Sequence, residues 1–169
     1  MPYSTFPPEE PVSLGEIKTF LRVDGEAEDA LLSDLVASAR EQVERRAGML
    51  TVARTLALRL PVCGTRAKLP VRPVRALVSV ARDGAAVEGA RLETKGEVPV
   101  LQLPGRVDAT LDVEVEAGFG PPAQVPAPLR QAVLLLVADA YEHREREAGF
   151  ARTSLRVDAL LGPWRGPRL

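Results

Sequence analysis

The spacing of apolar positions changes twice along the chain. Leu14, Ile17 and Leu21, with Lys18 beside them, share one side of a short segment; Leu31, Leu35, Ala39, Val43 and Ala47 then recur every four residues, with Leu32 and Val36 widening the stripe. This spacing predicts two helices, over 13–22 and 26–47. Ser13 followed by Glu16 has the form of a capping box, in which the hydroxyl and the carboxylate each satisfy a free backbone amide. In the second helix Glu26, Glu28 and Asp29 stand at the positive end of the dipole and Arg45 and Arg46 at the negative end, and Gly48 supplies a left-handed stop.

After Thr51 the period falls to two. Leu56, Leu58 and Leu60 alternate with Thr55, Ala57 and Arg59, and Leu111, Val113 and Val115 alternate with Asp112, Glu114 and Glu116, the pattern of half-buried strands. Between them lie Leu77 to Arg82, the turn Asp83-Gly84 and Val98 to Leu103. The β region 51–117 therefore predicts a small antiparallel sheet of about four to six strands, with Pro61, Pro70, Pro73, Pro99 and Pro104 marking edges and ends.

Helical spacing returns beyond Gly118-Phe119-Gly120-Pro121-Pro122. Pro126 and Pro128 pre-set the first turn of a helix over 127–146, whose run from Leu129 to Ala138 is too apolar for one narrow stripe. Such a helix is central to the core or shared with a neighbouring chain. Pro2, Pro7, Pro8 and Pro11 make 1–12 an extended arm. In 149–169, Leu160, Leu161 and Trp164 stand among arginines, glycines and prolines, which reads as a docking tail without a core of its own. Truncation after Phe150 is accordingly expected to leave a folded protein. The predicted class is α+β: a helical core (two N-terminal helices plus one long apolar C-terminal helix) with an inserted small antiparallel β-sheet and extended N- and C-terminal arms, the main domain being 13–148.

Composition narrows the chemistry. Of 169 residues 46% are hydrophobic but only 4% aromatic, so the core is mostly Leu, Val and Ala. The single Cys63 excludes a disulfide within the chain, and with the single His143 it leaves no zinc ligand set and no base for a catalytic triad outside a charged helical run. The reading assigns no catalytic residue, metal or cofactor. No apolar run approaches the ~20 residues that cross a bilayer, and the first residues lack a signal-peptide pattern; a soluble protein made in the cytoplasm, with no membrane partner, is expected.

The net charge of −1 conceals opposed blocks. Met1 to Asp34 holds eight acids and two bases, Leu35 to Arg82 ten bases and two acids, and Arg152 to Leu169 four arginines and one acid. These blocks either neutralise each other within one fold or join like subunits head to tail, with Glu26, Glu28 and Asp29 of one copy facing Arg54, Arg59 or Arg72 of the next.

The remaining candidates have plain readings. Gly118-Phe119-Gly120 precedes prolines rather than a helix start with free amides, and so reads as a turn, not a phosphate loop. Asp112, Glu114 and Glu116 share one strand face and suit a solvated surface better than a divalent ion. The basic stretch Arg54 to Arg82 contains no aromatic residue on which bases would stack. Phosphate contact without sequence preference, or an acidic protein surface, remains.

In this order the residues resemble the head–tail connector (adaptor) family of long-tailed phages and gene transfer agents. The resemblance lies in Ser13-Leu14 with Lys18 and Leu21-Arg22-Val23-Asp24, in Asp29-Ala30-Leu31-Leu32, and in Ala39-Arg40 with Val43-Glu44 and Ala47-Gly48. It resumes in Leu69-Pro70, Pro73-Val74, Ser79-Val80, Ala117-Gly118-Phe119-Gly120, and Val125-Pro126-Ala127-Pro128-Leu129-Arg130-Gln131-Ala132 leading to Tyr141-Glu142-His143-Arg144. It implies a structural protein of the virion or gene transfer agent neck, not an enzyme. Such proteins form a ring, usually taken as a dodecamer, beneath the portal protein; the ring extends the DNA channel and is a platform for the stopper or tail-completion protein. DNA would pass without sequence-specific contact. Leu160-Leu161-Gly162-Pro163-Trp164-Arg165 matches the family's closing pattern, which implies portal docking by Leu160, Leu161, Trp164 and Arg165. The alternative reading is a sequence-independent nucleic-acid-binding accessory protein.

Overall fold

The computed structural model describes residues 7–95, 98–143 and 150–165. Its class is α+β, with four helices and an antiparallel sheet. The chain divides into two units, one holding Ala53–Phe119 and the other Glu9–Val52 with the residues from Gly120 onward.

The helical unit opens with α1 (Leu14–Leu21), started by the expected capping box. The Ser13 hydroxyl accepts from the Glu16 amide at 3.2 Å, while Glu16 Oε2 accepts from the Ser13 amide and hydroxyl at 2.9 Å each. The Ser13 backbone amide above all, with its hydroxyl and the Arg130 guanidinium, holds the Glu16 carboxyl below its ordinary value of 4.5 against the opposing effect of burial. A carboxylate with a lowered folded-state pKa stabilises the fold above the unfolded value, and that contribution disappears as pH falls through the folded one. Ser13→Ala is therefore expected to cost about 1 kcal/mol at neutral pH, with a smaller cost in acid; parallel urea titrations of both proteins at neutral and acidic pH measure the difference.

Helix α2 (Asp29–Ala47) begins three residues later than the expected 26, and Glu28 at its N-cap makes no side-chain capping bond. The Glu28 carboxylate instead accepts from the Tyr141 hydroxyl. Gly48 takes the left-handed conformation, φ 66°, and closes the helix as expected. The buried stripe is Leu32, Val36, Ala39, Val43 and Ala47, rotated from the expected one, so that Leu31 is left on the surface.

The long apolar C-terminal helix expected over 127–146 is not present. Two shorter helices stand in the C-terminal part: α3 (Ala127–Glu142) and α4 (Phe150–Leu161). Helix α3 ends where His143 leaves helical geometry as its C-cap, the His143 amide bonding to the Asp139 carbonyl, and α3 packs on α2 and also on α4. Its broad apolar surface is thus used twice within the unit. Val157 and Leu161 of α4 are fully buried, so this segment is part of the helical core rather than an unpacked tail.

The second unit is a five-stranded sheet of β1 (Arg54–Lys68), β2 (Val74–Arg82), β3 (Ala85–Ala86), β4 (Arg91–Lys95) and β5 (Val98–Ala117). Its order is β1-β5-β2-β3, and β4 pairs with the first part of β5. The two apolar alternations read from the sequence lie side by side, Leu56 opposite Val115, Leu58 opposite Val113 and Leu60 opposite Leu111, all buried. Val98–Leu103 and Thr110–Ala117, read as separate strands, are two parts of β5, and register is lost only where Thr65 faces Leu103 to Arg106. Pro61 lies within β1, an edge strand paired with β5, the kind of strand to which proline is confined within sheets.

Candidate assembly surfaces

Several charged side chains that look like surface features in the sequence build the helical unit itself. Arg40 is 2% exposed. Its Nε donates to Glu10 Oε2 at 2.9 Å and its Nη1 to Glu44 Oε2 at 3.3 Å, with Glu41 at 3.6 Å. The other Glu44 oxygen accepts from the Thr51 amide at 2.9 Å and hydroxyl at 2.8 Å. One guanidinium therefore ties the end of the N-terminal arm to α2, and through Glu44 to the segment that leaves it. The Arg130 Nε bond to the Pro11 carbonyl at 3.1 Å fixes the same arm from α3.

The tail residues divide into two sets. Leu161 is fully buried, whereas Leu160, Trp164 and Arg165 are only half-buried. Arg165 donates to Asp158, which also lies 3.9 Å from Arg46. A single 3-10 turn, Gly162–Trp164, carries the tryptophan beyond α4. Leu155 is 72% exposed on α4.

The charged residues read as subunit contacts divide similarly. Glu26 and Arg59 are exposed, and Arg59 lies 3.4 Å from Asp112 of the adjacent strand. Asp29 is bound to Lys18 at 2.7 Å, and Glu28 to Tyr141. Arg54 is buried at the start of β1, and Arg72 is half-buried.

On the outer side of the sheet the acids of β5 face neighbours of opposite charge or hydrogen-bonding capacity. Glu116 lies 3.1 Å from Arg75, and Glu114 accepts from Ser79 at 3.2 Å. Among the described residues no group of three or more His, Cys, Asp or Glu is arranged to hold a metal ion. Gly118 and Gly120 adopt φ of 120° and 135°, as a turn requires, and the Phe119 carbonyl accepts from Arg75 at 2.8 Å. The Cys63 thiol is pushed up by its hydrogen bond to Asp108 and by that carboxylate's charge, which disfavours a reactive thiolate. His143 sits at the end of α3, its Nδ1 3.6 Å from the buried Asp139 carboxylate, which also accepts from Thr153 at 2.8 Å.

Sequence reasoning did not single out the exposed apolar side chains Phe20, Val78 and Leu155, and it placed the exposed Leu31 in the buried stripe of the second helix. Phe20 carries a visible signal, an aromatic ring off the Leu14-Ile17-Leu21 stripe. Val78 carries none, because its exposure comes from a break in strand register between Leu77 and Ser79.

Taken together, the two units present packed cores, internally paired charges and a few unpartnered apolar side chains, the design of a structural assembly component. Residues 11–83 match the model of the phage gp6-like head–tail connector protein family. No curated protein sequence matches the chain. Solved structures extend the likeness to the whole fold. The chain is 27% identical, at a TM-score of 0.83, to a protein in the neck of an empty gene transfer agent particle computed with C6 symmetry. It is 26% identical, at 0.79, to one in the virion of a native gene transfer agent particle. It is 25% identical, at 0.76, to one in the neck of a native particle computed with C12 symmetry. Each match covers 99% of this chain and 95% of the other.

Proposed function

We propose that this protein is a structural head–tail connector of a phage or gene transfer agent neck, forming a ring of identical subunits under the portal. The ring extends the DNA channel and offers a platform to the stopper or tail. The observation that carries this reading is the likeness to gene transfer agent neck proteins over nearly the full length of both chains, at a TM-score of 0.83.

Portal docking falls to the half-buried Leu160, Trp164 and Arg165, with Leu161 holding α4 in place beneath them. Among the charged residues, Glu26 and Arg59 remain available for contact between subunits, with Arg72 at the margin; Glu28, Asp29 and Arg54 contribute from within their own subunit. The basic stretch does not favour the nucleic-acid alternative. Arg59, Arg66, Arg75 and Arg82 each stand within ion-pair distance of a carboxylate, and do not form an uncompensated cationic face.

Deleting the gene tests the reading directly. Negative-stain images of particles lacking this protein are expected to show DNA-filled heads separated from tails. Normal numbers of joined particles would reject the connector role.

A further inference from the structure

Beyond Ala148 the chain holds four arginines, Arg152, Arg156, Arg165 and Arg168, and a single acidic side chain, Asp158. The fold decides which base that carboxylate serves. Asp158 Oδ1 accepts from Arg165 Nη2, and Nη1 of Arg46, near the end of α2, lies 3.9 Å from the same oxygen. Arg46 Nη1 also donates to the Ser154 hydroxyl at 3.3 Å, four residues before Asp158 on α4. One guanidinium of α2 thus spans two successive turns of α4 and steadies the carboxylate that holds Arg165.

Between Asp158 and Arg165 the chain leaves its helix. Leu161, fully buried, fixes the last residue of α4, and the turn Gly162–Trp164 follows directly. The backbone bond that closes this turn runs from the Arg165 amide to the Gly162 carbonyl at 3.3 Å, and open space surrounds the position where a Gly162 Cβ would stand. A glycine in open surroundings restricts the direction of a turn only weakly. The Arg165–Asp158 bond supplies a second fixed end, so Trp164 stands between a buried leucine and a pinned arginine.

We infer that Asp158 is a positioning residue for portal docking: it holds Arg165 against α4, so that Trp164 has its docking orientation before the partner arrives. Arg165 then acts through the carboxylate of its own subunit and not as a free charge offered to the portal. The gain is preorganisation. A side chain already ordered in the free protein does not lose that freedom on binding, which strengthens attachment without adding a contact. The inference rests on the connector reading above and deepens it, by naming a residue outside the docking set on which docking depends.

Three variants of the full chain, Asp158→Asn, Arg165→Gln and the two combined, test it. Trp164 is the only tryptophan, so the fluorescence anisotropy of the free protein reads its local freedom. Lower anisotropy is expected in each variant, with urea midpoints close to that of the wild-type chain. Binding to portal-bearing heads is expected to fall about fivefold for either single change, the usual cost of ordering a side chain on association. The combined variant is expected to fall by the same factor, because both changes break one bond. Losses that multiply to roughly 25-fold would mean that Arg165 meets the portal independently of Asp158 and would overturn the inference. Unchanged anisotropy or undiminished head binding in Asp158→Asn would overturn it too, and a drop in urea midpoint as large as the drop in binding would mark a general loosening of α4 instead. Arg165→Gln, which lies beyond α4, keeps the test decisive should Asp158→Asn disturb that helix. Failure of the wild-type chain to bind such heads would reject the connector reading itself, while the anisotropy of the free protein would still decide whether Asp158 orders Trp164.

Discussion

Replacing Arg40 with methionine is expected to lower stability by about 3–5 kcal/mol, the usual cost of removing one partner from a buried ion pair. Arg40 is 2% exposed and the Glu44 side chain 9%, so little water reaches the Glu44 carboxylate to compensate it after the change. The loss has a structural extension: Glu10 loses its bond to α2, while the Arg130 bond to the Pro11 carbonyl still holds the arm. Urea denaturation monitored by circular dichroism measures the effect as a lower midpoint. Adding Glu44→Gln to Arg40→Met is expected to recover part of the loss, because a neutral amide oxygen still accepts from Thr51 without leaving a buried charge. A loss below about 1 kcal/mol for the single variant would mean that water reaches this cluster and screens it.

Leu161→Ala is expected to cost about 2–5 kcal/mol, because a fully buried leucine leaves a cavity where α4 packs. Trp164→Ala, three residues on, is expected to have the opposite profile. Its side chain is half-buried, so the fold is largely retained, while attachment to portal-bearing heads weakens by about 2 kcal/mol, roughly 30-fold in affinity. Denaturation curves and head-binding titrations on the two variants separate the roles. Equal losses of stability would place Trp164 in the core with Leu161 and remove it from the docking surface. Truncation after Phe150, expected from the sequence to leave a folded protein, is now expected to destabilise the helical unit, since it strips α3 of the helix that covers it.

Elements with strong local signals were legible in the sequence. Ser13 and Glu16 form the capping box that their spacing announces, Gly48 closes α2, and the alternating leucines and valines at 56–60 and 111–115 pair across β1 and β5. Element ends and relations between elements were less legible. Helix α2 starts at Asp29, and the Glu28 carboxylate before it is engaged by Tyr141, more than a hundred residues away in the chain. Val157 and Leu161 stand at helical spacing, yet the glycines and prolines that follow them favour an arm over α4. The register slips that expose Val78 depend on how β2 meets β5, and no local preference encodes them.

The sequence by itself determined the α+β class, the placement of a sheet between helical segments, and the connector resemblance. These follow from hydrophobic period, capping chemistry and the residue inventory, each of which acts over a few residues or needs only a count. The tertiary structure alone decided which charges are spent within the chain and which apolar side chains are left over. Arg40 and Glu26 are both merely charged residues in the sequence; one is enclosed by three carboxylates and the other faces solvent. Burial and ion pairing depend on segments far apart along the chain, such as Glu10 against Arg40 or Arg130 against Pro11, so the surfaces available for assembly emerge only once those segments have packed.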